Sequence, residues 1–444
     1  MERSMRLSSE KVLVATTLMI GAAQAQVSTN VNTQQTAPGS VAAITRQSSP
    51  TAGGYVVVPT SSVPNPGDRG KIAHTNYRFF VPYQETQAQS QTQAATPKLG
   101  PPLAGFFFNT PASLACIYSV VSASSGCDPN IVTKVSTYGS KVIAIVDAYH
   151  NSSALADLQT YSTQFGLPAP NLQIVYATGV QPPVDFNWAG EEALDLDMAH
   201  ALAPNAKIIL VEAASNSNAD LLLAEDVASG LVAAAGGGQV SNSWGQGEFV
   251  GETTLDSHFT TPKVVYFAST GDDPGTQWPS VSANIVAVGG TTVVRSASGA
   301  FLGETTWASG GGGPSTYVAR PTYQNGIAGV VGTARGVPDV SAVANPSTGV
   351  WVYCSTGCGN APINSWFGIG GTSVSSPLVA ALTNAAGHFG VSTFAELKSL
   401  YALLGSNRFN DITLGLCGIG SAYSAVAGWD FCTGVGTPHT PMGL

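Results

Sequence analysis

The chain has 444 residues, of which 44% are apolar and only 10% are Asp, Glu, Lys or Arg. This apolar content is enough to form a sizeable globular core and excludes disorder along the whole chain. The 17 basic and 26 acidic residues give a net charge of −9 and form no Lys/Arg cluster suited to a phosphate backbone, so we expect no nucleic-acid partner.

The N-terminus has the pattern of an export signal. Basic residues precede an apolar run over 12–23, and a small-residue cleavage motif ends at Ala25. We therefore predict that residues 1–25 are a signal peptide and that the mature protein is secreted, with the periplasm as the alternative. The competing hypothesis is an uncleaved membrane anchor, but the run is shorter than the roughly 20 residues that a spanning helix needs. We expect no membrane partner after the signal is removed.

The cysteine spacing also suits an oxidising compartment. Six cysteines fall as three close pairs, which are Cys116 with Cys127, Cys354 with Cys358, and Cys417 with Cys432. Pairing of these neighbours is our prediction, although six cysteines allow fifteen arrangements. Metal binding is the competing hypothesis, but the chain has no C-x-x-C pair with a matching His.

Residues 26–100 differ in composition from the rest of the chain. They are rich in Gln, Thr, Ser and Pro, as in the run TQAQSQTQAATP over 86–97. We predict a poorly ordered, low-complexity pro-segment here, with a plain disordered linker as the alternative. The short apolar pieces over 55–58 and 77–81 are too small to decide between the two. Residues 101–444 are predicted to form one large domain.

From residue 141 onward, short β-branched runs alternate with helical stretches. We predict helices that end near 165 and cover 191–202 and 219–235, and strands over 141–149, 172–178, 206–213, 239–245, 264–270 and 284–290. Nearly continuous apolar strands separated by helices predict an α/β fold, with a doubly wound, mostly parallel sheet and helices on both faces. Active sites in such sheets lie beyond the carboxyl ends of the strands, here at Asp147, after Val240, and at Gly271 and Asp272.

An acidic pair lies in the segment GEEALDLDMAHALAP over 190–204, which contains the predicted helix over 191–202. Glu191 and Asp195 are four residues apart and project from one helix face, whereas Glu192 and Asp197 point elsewhere. If the pair is buried, it must share a proton, and one carboxylate can then accept a proton from a nucleophile. The alternative is a solvated acidic helix N-terminus, but the surrounding residues are largely apolar.

A further carboxylate, Asp272, follows a predicted buried strand and a glycine in the segment FASTGDDPG over 267–275. A turn aspartate is the ordinary interpretation. If Asp272 is kept protonated, it can instead donate a hydrogen bond to a developing oxyanion.

A candidate nucleophile, Ser373, lies in the motif GGTSVSSP over 370–377, directly before a predicted helix. The two glycines allow a close approach of the backbone, and the helix N-terminus favours the negative charge that builds on an attacked carbonyl. A simple helix cap is the alternative. A serine hydroxyl also needs a neighbouring base to take its proton, and the carboxylate pair is the strongest candidate.

These residues resemble the sedolisin family, the serine-carboxyl peptidases, which have a subtilisin-like fold with Glu in place of the catalytic His. The matching segments, within roughly residues 105–440, are E-x-x-L-D at Glu191 to Asp195, SNSWG over 241–245, Gly-Asp at 271–272, and GGTS over 370–373. The resemblance implies that Glu191 is the general base and Asp195 its partner. It also implies that Ser373 is the nucleophile and Asp272 the oxyanion-hole acid.

The resemblance extends to substrate and metal binding. It implies that the strand with Ser243, Trp244 and Gly245 pairs with the substrate backbone. It also implies a C-terminal structural Ca²⁺, with oxygen ligands from Asp411, Ile412, Val426, Gly428 and Asp430. The family usually has a longer, folded pro-domain than the roughly 75 residues here. Asp147, where a subtilisin has its triad aspartate, has no role implied by the resemblance and stays unassigned.

The function that follows is hydrolysis of protein or peptide substrates at acidic pH through a serine acyl-enzyme, in a monomeric, exported serine endopeptidase. One alternative is a subtilisin-like enzyme that uses His150 or His200 with Asp147. The other is an exported binding protein of the same fold without catalysis. The presence of all four implied catalytic residues favours the enzyme.

Overall fold

The computed structural model describes residues 45–51, 53–82, 101–102, 105–356, 358 and 365–439. All of them belong to one compact unit, Ala42–Leu444. The predicted signal peptide over 1–25 and the polar run over 86–97 lie outside the described residues.

The strands, in chain order, are β1 (Thr45–Thr51), β2 (Gly54–Val58), β3 (His74–Thr75), β4 (Arg78–Pro82), β5 (Val142–Ala148), β6 (Asn171–Tyr176), β7 (Lys207–Ala213), β8 (Gly238–Asn242), β9 (Trp244–Gly247), β10 (Val264–Ser269), β11 (Gln277–Trp278), β12 (Val286–Arg295), β13 (Phe301–Thr306), β14 (Gly313–Ala319), β15 (Ala334–Val337), β16 (Val340–Val343), β17 (Val350–Cys354), β18 (Ser365–Gly370), β19 (Phe409–Asn410), β20 (Leu416–Cys417), β21 (Tyr423–Ser424) and β22 (Thr437–Pro438). The α-helices are α1 (Pro111–Ile117), α2 (Ala154–Phe165), α3 (Phe186–Leu202), α4 (Asn218–Ala234), α5 (Ala328–Val331), α6 (Thr372–Ala385) and α7 (Thr393–Ala402).

The central sheet has the strand order β13-β12-β10-β8-β5-β7-β6, and β16 also pairs with β12. All of its pairings are parallel except that between β12 and β13. Every residue of β5, β8 and β10 is buried, because helices cover both faces of a parallel sheet. The prediction of a doubly wound, mostly parallel α/β fold is confirmed.

The two faces of the sheet pack against different helices. Ile143 and Ile145 of β5 lie in the apolar core with α3 and α6. Val142, Ala144 and Val146 alternate with them and lie in the core with α4. Side chains of successive strand residues point to opposite faces, so a continuous apolar run serves both layers. The helices α3 and α6 therefore share one side of the sheet and pack against each other.

The second sheet contains part of the predicted pro-segment. Its order is β1-β2-β4-β18-β17, and all of its pairings are antiparallel. Val57, Tyr77 and Phe79 of this region are buried in the main apolar core. The expectation of poor order over residues 26–100 is therefore wrong for residues 54–82, because strand β18 supplies a partner that no local pattern reveals. The prediction that this region is a pro-segment remains a prediction.

Three disulfides join Cys116 to Cys127, Cys354 to Cys358, and Cys417 to Cys432, which are the predicted pairs. Within the described ranges, every helix is too short or too polar to cross a lipid bilayer.

Candidate active site

Ser373 lies at the start of α6, immediately after the last strand of the second sheet. Gly371 joins β18 to α6 with φ of 127°, a conformation that favours glycine. A Cβ on this residue would lie 2.1 Å from the carbonyl oxygen of Asn76 and 2.7 Å from Oδ2 of Asp272. The predicted close approach of the backbone at this glycine is thus present, and it brings two other chain segments, those with Asn76 and Asp272, close to the serine.

The serine hydroxyl is fully buried and hydrogen-bonded. Its Oγ donates to the carbonyl oxygen of Ser243 at 3.1 Å and accepts the backbone N–H of Asn76 at 3.2 Å. The backbone N–H of Ser373 donates to the carbonyl oxygen of Asn76 at 3.0 Å. Ser373 therefore contacts both the backbone N–H and the backbone carbonyl oxygen of Asn76.

The predicted acidic pair faces inward. Residues Trp188 to Leu202 of α3 are all buried, so this helix has no solvated side on which the carboxylates could lie. Oδ1 of Asp195 accepts the hydroxyl of Ser243 at 2.8 Å. Among the described residues, neither oxygen of Glu191 nor Oδ2 of Asp195 has a hydrogen-bond partner.

Burial is the main cause that raises the pKa of Glu191 well above its usual range, and the charges of Asp195 and Asp147 add to the rise. The nearby Ser373 hydroxyl opposes it. Burial also raises the pKa of Asp195, and the Ser243 hydroxyl and the nearby Glu191 carboxyl group oppose the rise. Raised pKa values of both residues suit a pair that shares one proton, which leaves one carboxylate able to accept another proton.

Asp147, which the sequence left unassigned, belongs to the same buried cluster. It is fully buried, and its two carboxyl oxygens have no partner in the described part of the chain. Burial raises its pKa most, followed by the charges of Asp195 and Glu212. Asp147 thus helps to keep the neighbouring carboxyl groups protonated.

Asp272 lies beyond the carboxyl end of β10, as predicted. Its Oδ1 accepts the backbone N–H and the hydroxyl of Thr372 at 2.7 and 3.0 Å. Its Oδ2 has no hydrogen-bond partner among the described residues and lies 3.7 Å from Nε of Arg78. Burial raises the pKa of Asp272 to about 7, although the charge of Arg78 opposes the rise. The Asp272 carboxyl and the Ser373 N–H flank the same carbonyl oxygen, which is the arrangement of an oxyanion hole.

The predicted substrate strand is divided between β8 and β9. Ser243 lies between the two strands. Its hydroxyl donates to Asp195, and its carbonyl oxygen accepts the hydroxyl of Ser373. Trp244 is buried, and its Nε1 donates to the carbonyl oxygen of Val146 at 3.1 Å. Trp244 and Gly245 pair through their backbones with β3 of the same chain. The edge expected to bind substrate is therefore already paired with β3.

The histidines of the competing hypothesis lie elsewhere. His150 Nδ1 pairs with the Glu212 carboxylate at 2.8 Å, and His200 Nε2 bonds the carbonyl oxygen of Pro168 at 2.9 Å. The hydrogen-bond partners of Ser373 among the described residues include no histidine. The geometry therefore favours the carboxyl pair over a histidine base.

Hydrogen bonds join four of the five predicted calcium ligands in the C-terminal region. Oδ2 of Asp411 accepts the N–H of Gly428 at 2.8 Å, and Oδ2 of Asp430 accepts the N–H of Val426 at 3.0 Å. The carbonyl oxygens of Ile412, Val426 and Gly428 accept no hydrogen bond from other described residues. Two carboxylates and three available carbonyls are an oxygen set of the kind that Ca²⁺ prefers.

Sequence reasoning missed three residues at the site, which are Asn76, Arg78 and Thr372. The Gly-Thr-Ser motif placed Thr372 next to the nucleophile but gave no sign that it positions Asp272. Nothing local marked Asn76 or Arg78, because their contacts join positions about 200 to 300 residues apart in sequence.

No protein-family model matches the chain. Among characterised proteins it is similar to kumamolisin from Bacillus sp. (strain MN-32), with 32% identity over 317 residues that cover 63% of this chain and 55% of kumamolisin. It is also similar to sedolisin from Pseudomonas sp. (strain 101), with 26% identity over 353 residues that cover 68% of this chain and 57% of sedolisin. The chain thus spans about half the length of these relatives.

The solved structures include a similar fold. Pseudomonas sedolisin, a serine-carboxyl proteinase complexed with two molecules of pseudo-iodotyrostatin, superposes with a TM-score of 0.60 and 25% identity over 75% of this chain and 95% of that one. Fold and site together define a subtilisin-like α/β protein with a serine beside buried carboxyl groups. The chain is thus similar in sequence and fold to members of the sedolisin family.

Proposed function

We propose that the protein is a serine-carboxyl endopeptidase that hydrolyses peptide bonds of protein substrates at acidic pH. The observation that carries this proposal is the position of a buried serine beside a buried carboxyl pair that has raised pKa values and unpartnered oxygens. Buried carboxyl groups left without hydrogen-bond partners destabilise a fold, so chemistry is the strongest reason to retain them.

In the proposed reaction, Ser373 attacks the carbonyl carbon of the substrate while Glu191 takes its proton, assisted by Asp195. The negative charge that develops on the carbonyl oxygen is stabilised by the Ser373 N–H and by a protonated Asp272. Thr372 positions Asp272 by donating two hydrogen bonds to its Oδ1. The proton on Glu191 then passes to the leaving amine, and water hydrolyses the ester on the serine.

The acidic optimum follows from the required protonation states. The role of Asp272 needs its protonated form, and its pKa of about 7 means that this form disappears as the pH rises through neutrality. The proton shared by the carboxyl pair is lost in the same direction, because burial favours the neutral acids.

Export and calcium binding belong to the same proposal. The three disulfides are typical of proteins in oxidising compartments, and the basic, apolar and small-residue pattern over 1–25 supplies an export signal. A Ca²⁺ ion held by Asp411, Asp430 and the carbonyl oxygens of Ile412, Val426 and Gly428 would stabilise the C-terminal loop.

The proposal is tested by incubating the purified protein with unfolded casein at about pH 4. We expect Ser373→Ala and Glu191→Gln to lose activity by roughly 10⁵-fold or more, because the two residues act as one unit. His200→Gln serves as the matched control and should cleave casein at close to the wild-type rate. Activity that survives in Glu191→Gln but disappears in His200→Gln would overturn the proposal.

A further inference from the structure

The buried carboxyl groups at the candidate active site continue beyond the residues that the proposed reaction uses. Glu192 and Glu212 are both 0% exposed, and neither oxygen of Glu192 has a hydrogen-bond partner among the described residues. A buried acid without a partner destabilises a fold, so packing alone does not explain why it is retained. The proposed reaction itself needs neither glutamate.

The main-chain geometry places these two glutamates next to Asp147 and Asp195. Parallel pairing of β5 with β7 sets Asp147 opposite Glu212, and residues opposite each other on neighbouring strands lie about 5 Å apart on one face of the sheet. Glu192 precedes Asp195 by three residues on α3, and residues three apart are neighbours on a helix. The prediction that Glu192 points away from the acidic pair is therefore wrong.

The charges of these acids act on one another. Burial raises the pKa of Glu192 well above its usual range, and the charge of Glu212 adds to the rise, followed by those of Asp147 and Asp195. Burial also raises the pKa of Glu212. The backbone N–H of Asn151 opposes the rise for both glutamates, so their carboxyl groups lie beside the same amide. Acids this close titrate as a coupled unit.

His150 brings a cationic side chain to this cluster. Its Nδ1 lies 2.8 Å from Oε2 and 3.0 Å from Oε1 of Glu212, and 9% of its side chain is exposed. His150 opposes the rise that burial causes in the pKa of Glu212. Glu212 is therefore the acid of the cluster whose charged form is best stabilised, whereas Glu192 has no such partner and keeps its proton.

The other titratable groups around the cluster are two tyrosines and Asp185. Tyr176 contacts the His150 ring edge-on, with 5.7 Å between the ring centroids. Burial raises the pKa of Tyr77 well above its usual range, and the charges of Glu191 and Asp185 add to the rise, so its hydroxyl stays neutral. Asp185 accepts two backbone N–H groups at the start of α3. Among the described residues that act on the cluster, the cation is thus His150.

We propose that Glu212 and His150 are positioning residues for the proposed reaction. Their ion pair holds a negative charge beside Asp147 and Glu192, which keeps both of these acids neutral and leaves Glu191 as the group that ionises and accepts the serine proton. The inference rests on the proposed function, because it concerns the same reaction.

The reason is competition among buried acids for one negative charge. Glu191 can accept the serine proton only when it is ionised. A charge on Asp147 raises the pKa of Glu191, so an ionised Asp147 would keep Glu191 protonated and inactive. The charge of Glu212 in turn raises the pKa of Asp147. Since His150 balances Glu212, the ion pair adds no net charge to the site, and its negative end faces Asp147.

The test compares the pH profile of kcat/KM for a peptide substrate in the wild type and in Glu212→Gln. The amide removes the anion, so Asp147 ionises in place of Glu191, and Glu191 keeps its proton to higher pH. We expect kcat/KM at about pH 4 to fall by about 10-fold, and the acid side of the profile to move to higher pH by about one unit. Adding Asp147→Asn to Glu212→Gln should restore most of the wild-type profile, because the competing acid is gone.

Glu225→Gln is the matched control. Glu225 is also 0% exposed, its oxygens have no hydrogen-bond partner in the described part of the chain, and burial raises its pKa well above the usual range. It lies on α4, which packs against the other face of the sheet. The pH profile of Glu225→Gln should match that of the wild type. An unchanged acid side in Glu212→Gln, the same shift in Glu225→Gln, or no recovery in the double variant would overturn the inference.

A second readout does not depend on turnover. Nuclear magnetic resonance of the Asp147 carboxyl carbon, in the inactive Ser373→Ala background, follows the titration of this acid directly. His150→Gln should lower the pH at which Asp147 loses its proton, because Glu212 without its cation stays protonated and no longer repels a charge on Asp147. An Asp147 that titrates at the same pH with and without His150→Gln would show that the ion pair does not act on it.

Casein cleavage separates this inference from the proposed function. A wild-type protein that digests casein, but whose pH profile is unaffected by Glu212→Gln, overturns the role of the ion pair and leaves the peptidase proposal standing. A wild-type protein that does not cleave casein overturns both.

Discussion

Two groups of carboxylates in this molecule have opposite environments. At the candidate active site, Glu191 and Asp147 are fully buried and their oxygens have no hydrogen-bond partner among the described residues. In the C-terminal loop, Oδ1 of Asp430 accepts the backbone N–H groups of Cys432 and Thr433 at 2.8 and 2.9 Å. One group lacks hydrogen-bond donors, whereas the other is well supplied with them.

The difference distinguishes acids that exchange protons from acids that organise a backbone. Amide donors stabilise the charged form of a carboxylate, and at Asp430 they oppose the rise in pKa that burial causes. A carboxyl group without such donors in a dry site keeps its proton to higher pH and can release it to a neighbour. Clusters of Asp and Glu that look alike in sequence can thus have different chemical roles.

Among the variants that test the difference between these two groups of carboxylates, Asp195→Asn should have the largest effect. The amide can still accept the Ser243 hydroxyl, but it cannot share a proton with Glu191, so we expect kcat to fall by on the order of 10⁴-fold. Steady-state cleavage of a peptide measures it. Asp226→Asn, at an exposed aspartate, is the control and should leave kcat unchanged.

Asp272→Ala should have a smaller effect, because the Ser373 N–H still contacts the oxyanion. Loss of one such donor costs about 10² to 10³-fold in kcat. The fall in wild-type activity as the pH rises through about 7 should also become weaker in this variant, because the group whose protonated form is active no longer titrates. A pH profile of kcat that keeps its wild-type shape would show that Asp272 does not supply the proton.

The environment of Glu252 is intermediate between those of the two groups, and this residue tests how a raised carboxyl pKa affects the stability of the protein. Its Oε2 accepts the Phe249 N–H at 2.9 Å, whereas its Oε1 has no partner in the described part of the chain. Burial raises its pKa to about 8. A raised folded-state pKa stabilises the protein below the unfolded pKa, and this stability is lost as the pH rises through about 8.

Glu252→Gln removes that titration. We expect it to raise the free energy of unfolding at pH 7 by about 1 to 2 kcal/mol, allowing for solvent screening, and to change it little at about pH 4. Denaturant unfolding at the two pH values measures the difference. An equal effect at both would mean that packing rather than charge decides the outcome.

Among the predicted effects, that of calcium on thermal stability should be the smallest. Addition of Ca²⁺ at neutral pH should raise Tm by a few degrees if the loop binds the ion, because binding to the folded state alone stabilises it. Asp430→Asn should abolish the rise. The same increase with Mg²⁺, or in Asp430→Asn, would contradict a specific calcium site in this loop.

The sequence predicted the central sheet well because buried parallel strands leave a strong local signal. The apolar run over 141–149 became β5, and the run over 206–213 became β7, with bounds shifted by a residue. The acidic pair was also predictable, since a spacing of four residues places both side chains on one helix face whatever the tertiary structure.

The N-terminal strands were not predictable for the opposite reason. Strand β4 is stabilised by pairing with β18, almost 300 residues away, and its flanking composition is polar. The contribution of Asp147 to the buried carboxyl cluster could not be predicted from the sequence for the same reason. Burial raises its pKa most, followed by the charges of Asp195 and Glu212, and these surroundings form only when the sheet and α3 assemble.

The shared second sheet has a practical consequence for anyone who prepares this protein. A shortened recombinant form that starts after residue 100 would remove β4 and leave the edge of β18 without a partner, directly before the helix that carries Ser373. It would also uncover Phe367, which packs edge-on against Phe79. Exposed strand edges bordered by aromatic rings recruit other chains, so such a product should precipitate during purification.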